Sequence, residues 1–159
     1  SLADVNLDGS IDIYLNGSNL ESKIKSLEVS NHVSSIAEIP QIRKHVVKIQ
    51  KSFQHKGGLV MDGRDIGSVV FPNADLKLFL TASDHIRAKR RFDELINEGY
   101  KVNYDDIFNN IISRDKKDSE RKDSPLIIPK DAVVIDNSKM SIIDQRNFII
   151  KLIKSRFNF

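Results

Sequence analysis

Three short apolar runs, separated by stretches with helical spacing, constrain the fold of this chain more than any other feature. They lie at residues 59–61, 76–80 and 132–135, and Asp136 follows the last one directly. Short apolar runs that alternate with helices are typical of strands buried on both faces of a parallel sheet. The chain has 159 residues, which is enough for one such core with a small subdomain. The sequence therefore predicts an α/β fold.

The N-terminal third of the chain has a different pattern. Residues 11–15 alternate between apolar and polar, and Asn16 and Gly17 follow as a hairpin turn. The sparse apolar positions of residues 21–37 predict one or two short helices, and Pro40 is expected to begin another. These features predict a hairpin followed by helices ahead of the parallel sheet.

Helix signals are clear in the C-terminal part. Helical spacing runs over about 84–98, Asn103 is a candidate N-cap for a second helix, and Ser141 with Asp144 resembles a capping box for a final one. The final helix is expected to turn its apolar side inward, namely Ile142, Phe148, Ile149, Leu152 and Ile153. The stretch 114–124 contains no apolar residue, so it is a solvated helix end, a mobile loop or a binding surface.

Composition excludes several kinds of protein. The absence of cysteine rules out a disulfide scaffold, a thiolate metal site and a cysteine nucleophile, and it fits the reducing cytosol. No apolar run approaches the roughly 20 residues that a membrane span needs. A net charge of only +3 does not indicate a nucleic-acid partner.

The two glycines Gly58 and Gly63 have the spacing of a phosphate-binding loop but not its chemistry. Such a loop continues with Lys and then Ser or Thr, which meet phosphate and Mg²⁺, whereas Arg64 and Asp65 stand at those positions. The residues between the glycines are apolar, which favours a strand. No other stretch of the chain matches G-x-x-x-x-G-K, so these 159 residues hold no phosphate loop.

The tetrapeptide Asp62-Gly63-Arg64-Asp65 directly follows the first apolar run. The carboxyl ends of parallel strands are where ligands gather in open α/β sheets. Arginine can bind phosphate with two parallel hydrogen bonds, and a carboxylate can accept from donors or hold the water shell of a metal. A surface turn with compensating charges explains this tetrapeptide equally well.

A second group of charges follows about fifty residues later. Spacings of four and three residues place Arg114, Asp118 and Arg121 on one helical face. Two guanidinium groups around one carboxylate could bind a phosphorylated sugar. The alternative is an exposed ladder of salt bridges, which contributes little to stability. Arg87, Arg90 and Arg91 leave the same two interpretations open.

Taken together, these segments resemble the bacterial cytidylate kinase family of nucleoside monophosphate kinases. The string G-R-D-x-G-[ST]-V-V-F-P, found here at 63–72, is long and specific. The other matching segments are Lys77–Ser83, Arg87–Arg91, Arg114-Asp115, Asp118-Ser119, Arg121, Ser124–Leu126, Asp131–Asp136 and Met140–Ile142. Upstream, Val29 to Asn31, Ser34, Ala37, Pro40 and Arg43 also fit. The resemblance covers about 25–159 well and 1–24 more loosely.

The resemblance implies a partial P-loop NTP hydrolase and nucleoside monophosphate kinase fold. Residues 1–56 would form the CMP-binding insertion, and 57–159 the rest of the sheet core with a short lid at about 113–128. The implied reaction moves the γ-phosphoryl group of ATP onto CMP or dCMP with Mg²⁺.

The resemblance also implies a role for each matching residue. Ser34 and Arg43 would read the cytosine, Asp65 would face its amino group, and Arg64 would hold the CMP phosphate. Arg114 and Asp118 would address the sugar, and Arg121 the base or the phosphate. Asp62 would support Mg²⁺ through water, and Arg90 would belong to the lid-side set that meets ATP. Of these, Asp62, Arg64, Arg114 and Arg121 are the expected catalytic set.

One departure from the family is large, because this chain lacks the first strand and the glycine-rich loop with its lysine. We therefore expect the polypeptide alone to be inactive, with a separate N-terminal segment or a neighbouring chain completing the sheet. The family also implies a cytoplasmic monomer with neither a membrane nor a nucleic-acid partner. The alternative is a non-catalytic nucleotide-binding or interaction module.

Overall fold

The computed structural model describes residues 3–5, 11–24, 26–54 and 58–157. Its first part is an antiparallel sheet of β1 (Ala3–Val5), β2 (Ile11–Leu15) and β3 (Ser18–Asn19). Asn16 and Gly17 both have positive φ angles, 51° and 81°, as a tight hairpin turn between right-twisted strands requires. The predicted hairpin is confirmed, with β1 added along its other edge.

Three helices follow this sheet: α1 (Glu21–Ile24), α2 (Leu27–Ala37) and α3 (Pro40–Ser52). Pro40 occupies the first turn of α3, where its missing N–H costs no hydrogen bond. The predicted helices of this region are therefore confirmed. No residue of α3 is fully buried.

The second sheet has two parallel strands, β4 (Leu78–Thr81) and β5 (Val133–Asp136). Between them the chain forms α4 (Asp84–Asn97) and α5 (Tyr104–Glu120), and α6 (Ile142–Phe157) ends the fold. Leu78 pairs with Val133 and Thr81 with Asp136, so both strands end at the same edge. Two of the three predicted strands are confirmed, joined by a helical crossover.

The prediction of a strand at 59–61 is wrong. These residues form no strand, and the side chain of Val60 is fully exposed. Among the described residues, β4 and β5 hydrogen-bond only to each other, so residues 59–61 pair with neither strand. An apolar run becomes a strand only where a neighbouring backbone completes its hydrogen bonds.

The main hydrophobic core lies between α4 and α5. Its fully buried members are Ala88, Leu95 and Ile107, with exposures of 0%, 1% and 1%. The side chain of Asn103 accepts a hydrogen bond from the backbone N–H of Asp105 at 2.7 Å, which confirms the predicted cap of α5. Ser83 precedes α4, but its side chain makes no cap bond. This core fixes the orientation of α5, which carries much of the candidate site.

The final helix begins as predicted but packs differently. The backbone N–H of Asp144 donates to Ser141 Oγ at 3.1 Å, which confirms the capping box. The expected inward direction is wrong for Ile142 and Phe148, which are 88% and 42% exposed, whereas the later apolar positions are half-buried. No described residue of α6 is buried, because the two-stranded sheet offers it too small a surface. In the part of the chain described, no helix is long and apolar enough to cross a bilayer.

Candidate functional site

A sharp turn buries the first carboxylate of the site. Gly63 has φ 156°, and the chain then enters a π-helical turn at Ile66–Val70. The backbone carbonyl of Asp65 accepts from the N–H of Val69 at 2.9 Å. These local bonds leave the side chain of Asp65 buried and directed away from solvent, with the residue only 7% exposed.

Gly63→Ala is expected to lower the free energy of unfolding by about 1–3 kcal/mol, because it strains this turn. An added Cβ would lie 2.8 Å from Ile66 Cγ1, and the φ angle favours glycine. Urea unfolding measures the effect. Gly67→Ala is the matched control, since its Cβ would meet only the Lys77 side chain, at 3.3 Å or more, and Pro129 Cγ at 3.5 Å. Equal stabilities of the two variants would contradict the prediction.

Asp65 connects helix α3 to the end of helix α5. Its Oδ2 atom lies 2.5 Å from Arg43 Nη1 and 3.9 Å from Arg121 Nη2. A second hydrogen bond orients Arg43, because its Nε donates to the carbonyl of Ala37 at the end of α2 at 2.9 Å. One carboxylate therefore lies between two guanidinium groups from distant parts of the chain, hydrogen-bonded to Arg43 and within ion-pair distance of Arg121.

Asp118 is a second carboxylate, and it lies among three arginines. Its nearest described partner is Arg121 Nη1 at 3.3 Å, and Arg64 Nε and Arg114 Nε lie at 3.6 and 3.9 Å. Arg121 also donates from Nε to the carbonyl of Ser124 at 2.5 Å. Asp118 is only 3% exposed, so these charges are not a solvated ladder.

Three buried polar atoms of this cluster have no hydrogen-bond partner: Arg114 Nε, Asp118 Oδ2 and Arg121 Nη2. Buried polar groups are nearly always hydrogen-bonded, and leaving one unpaired is costly. Two guanidinium N–H donors and one carboxylate acceptor without hydrogen-bond partners would complement a polar, charged ligand. Their nearest opposite charges lie 3.6 to 3.9 Å away, so these atoms form ion pairs that are too long for hydrogen bonds.

Charge and burial act together on the arginines. Burial lowers the pKa of the Arg114 guanidinium, and the neighbouring charge of Arg64 lowers it further against the opposing effect of Asp118. The pKa of Arg121 is lowered by burial and then by Arg43. Guanidinium groups that depress one another's pKa values still remain charged, so an anionic ligand relieves their mutual repulsion.

The structure brings together most of the residues predicted for the site. They are Arg43, Arg64, Asp65, Arg114, Asp118 and Arg121. Arg121 follows the last residue of α5 instead of continuing the helix, yet it still reaches Asp118. The backbone of Ser34 lies in α2, but its side chain is outside the described part of the structure.

Two predicted residues lie apart from this cluster. Arg90 donates to the side-chain and backbone oxygens of Asn137, both at 2.8 Å, just beyond the end of β5. Asp62 is exposed at the start of the Gly63 turn. The described residues include no group of three potential metal ligands.

Asp115 and Arg87, which are not among the predicted site residues, are also part of the network. For Arg87 the spacing left a ligand-binding and a salt-bridge interpretation open. Asp115 Oδ1 lies 2.8 Å from Arg64 Nη1, and its Oδ2 pairs with Arg87. Arg64, Arg87, Arg91 and Arg114 line one cavity of about 220 Å³. Spacing along the chain gives no signal for these contacts, because 51 residues separate Arg64 from Asp115.

The model of the cytidylate kinase family matches residues 2–155. The chain belongs to the cytidylate kinase family. A cytidylate kinase of Flavobacterium johnsoniae is 48% identical over 145 residues, covering 91% of this chain and 63% of that protein. One of Phocaeicola vulgatus is 46% identical, with the same two shares of 91% and 63%. One of Porphyromonas gingivalis is also 46% identical, with 88% of this chain and 61% of that protein covered.

The predicted family is thus confirmed, and it implies the P-loop nucleoside monophosphate kinase fold. The chain spans a little under two thirds of the length of these relatives. In the described residues, the parallel sheet has two strands with helices between them.

Proposed function

We propose that this chain is the CMP-binding part of a kinase that transfers the γ-phosphoryl group of ATP to CMP or dCMP. The observation that carries the proposal is the buried arginine and carboxylate cluster with its three unpaired polar atoms. Its members are residues that the family resemblance predicts for the CMP site. A purely structural network would be expected to satisfy its own buried atoms.

The proposed base subsite consists of Asp65, Arg43 and Arg121. By the family resemblance, Ser34 would also belong to it. Cytosine has one exocyclic amino donor next to a ring nitrogen and a carbonyl that accept. A carboxylate between two guanidinium groups offers the complementary set, with Arg43 at 2.5 Å from Asp65. Uracil has a carbonyl in place of the amino group, which would face the carboxylate, so UMP is disfavoured.

The sugar and phosphate subsites follow from the second half of the cluster. Asp118 Oδ2 accepts no hydrogen bond in this structure and would accept one from a sugar hydroxyl. The Nε atom of Arg114, which donates no hydrogen bond here, lies 3.9 Å from that oxygen. Arg64, whose side chain is 37% exposed, would bind the phosphate with two parallel hydrogen bonds.

Phosphoryl transfer requires the protein to align the two substrates and to neutralise the phosphate charge, and it requires little covalent chemistry from the protein. The nucleophile is an oxygen of the CMP phosphate, which is already anionic, so no strong base is needed. Arg64, Arg114 and Arg121 would neutralise the charge around the acceptor, and Mg²⁺ bound with ATP would neutralise that of the transferred group. Asp62 would contact the water shell of that ion.

The remaining parts complete the proposed kinase. Arg90 would meet ATP, and residues 113–128 would act as the lid that excludes water. A further segment, or a neighbouring chain, would add a strand to the sheet and supply the phosphate loop. Such an enzyme would work in the cytoplasm, where its substrates are available.

Calorimetric titration of the 159-residue polypeptide with CMP, UMP, AMP and ATP tests the ligand. We expect binding of CMP and no measurable binding of UMP or AMP. Arg43→Ala should weaken CMP binding at least about ten-fold, the value of one charged hydrogen bond. Lys44→Ala is the control, since Lys44 is exposed on the same helix. Equal affinity for all four nucleotides, or for both variants, would contradict the proposal.

A further inference from the structure

Asp115 divides its carboxylate between two arginines from different parts of the fold. Oδ1 accepts from Arg64 Nη1 at 2.8 Å, and Oδ2 accepts from Arg87 Nη1. Asp115 lies on α5 between Arg114 and Asp118, and its side chain is 24% exposed. This bridge therefore lies next to the proposed nucleotide subsites and contacts Arg64 directly.

Arg87 is a fixed anchor. Its Nε donates to the carbonyl of Ala82, immediately after β4, at 3.1 Å, and its Nη2 pairs with Asp84. Burial alone would lower the pKa of Arg87, but the hydrogen bonds to Asp115 and Asp84 outweigh it, and the pKa is raised. The next residue, Ala88, is fully buried in the core. Arg87 therefore connects Asp115 to the rigid end of the sheet.

Arg64 has no comparable anchor of its own. It follows the Gly63 turn, and its shortest described contact is the one with Asp115 at 2.8 Å. The contact with Asp118 is longer, at 3.6 Å. A long side chain held by one strong hydrogen bond depends on that bond for its direction. Without the bond, the side chain would sample several rotamers, and ordering it on ligand binding would weaken the affinity.

We propose that Asp115, held by Arg87, is a positioning residue that directs the Arg64 guanidinium toward the phosphate of the bound mononucleotide. The inference rests on the proposed function, because it takes Arg64 to be the phosphate ligand. The path runs from the end of β4 through Arg87 and Asp115 to Arg64. Neither Asp115 nor Arg87 needs to contact the nucleotide for this effect.

Comparing CMP with cytidine isolates the phosphate, because the two ligands differ in nothing else. Asp115→Asn keeps the shape of the side chain but turns one acceptor into a donor that faces an arginine. We expect it to lower the affinity for CMP about ten-fold and to leave the affinity for cytidine unchanged. Arg87→Lys should act in the same direction, since an ammonium group cannot span Ala82, Asp84 and Asp115 together.

Asp105→Asn is the matched control, because Asp105 is an exposed carboxylate in the first turn of the same helix, α5, and lies outside the proposed lid. Circular dichroism of each variant verifies that it is folded. Equal losses for CMP and cytidine would show a merely structural role and overturn the inference. A gain in CMP affinity, which would mean that Asp115 competes with the phosphate for Arg64, would overturn it too, as would no change. Failure of the unsubstituted chain to bind CMP would overturn the proposed function, and this inference with it.

Discussion

Replacing Asp118 by alanine is expected to abolish CMP binding and to lower the free energy of unfolding by about 3–5 kcal/mol. The side chains of Asp118 and Arg121 are only 4% and 3% exposed, and they form an ion pair at 3.3 Å. Removing one member of a buried pair leaves the other charge without compensation. Arg64 and Arg114 would lose the same neutralising carboxylate.

Two further variants separate stability from binding in this experiment. Asp118→Asn retains the volume but removes the charge, so it should lose CMP binding and cost less stability than alanine. Glu120→Ala removes an exposed carboxylate two residues away and should change neither quantity. Chemical denaturation and calorimetry give the two measurements. An alanine variant as stable as the unsubstituted chain would mean that Asp118 does not hold the cluster together.

The sequence predicted the local parts of the site well. The spacing predicted Arg114, Asp118 and Arg121 on one helical face. Arg114 and Asp118 do lie on α5, 3.9 Å apart, whereas Arg121 lies beyond the end of the helix and reaches Asp118 from there. Helical geometry determines such spacings, so a sequence is sufficient to see them. Whether the face is solvated or buried was left open, because that depends on packing partners far away in the chain.

Contacts between distant segments were not visible in the spacing of residues. The family resemblance assigned both Arg43 and Asp65 to the base, but it did not predict their ion pair, and the bridge from Arg87 through Asp115 to Arg64 was not predicted either. Their geometry depends on the turn at Gly63 and on the crossing of α4 and α5. No periodicity encodes either of these features.

The two packing errors have one physical cause. Residues 59–61 and the N-terminal end of α6 were given buried roles because they are apolar, yet Val60 and Ile142 are exposed. Leu80 and Val134, in the centres of β4 and β5, are also about half exposed. An apolar pattern shows that a segment is suited to burial, but it does not show whether a neighbouring element covers it. In the described residues, the two-stranded sheet and the helices around it leave these apolar side chains uncovered.

The 159-residue polypeptide by itself is expected to transfer phosphate from ATP to CMP at least about 10⁵-fold more slowly than a full-length relative such as that of Flavobacterium johnsoniae. It has the proposed acceptor site but no G-x-x-x-x-G-K-[ST] sequence. In P-loop kinases the amides and lysine of that loop hold the β- and γ-phosphates. Without them, the γ-phosphate cannot be aligned with the oxygen that attacks it.

A coupled assay of CDP formation, run beside the CMP titration, measures this loss. Binding of CMP without turnover is the expected pair of results, and turnover at the rate of the relative would contradict the prediction. Adding the part of that relative outside the match should restore transfer if it docks beside β4. Arg64→Ala should then abolish the restored activity, because Arg64 would no longer hold the acceptor phosphate. CMP binding that never leads to transfer, even with this segment present, would favour a nucleotide-binding module over a kinase.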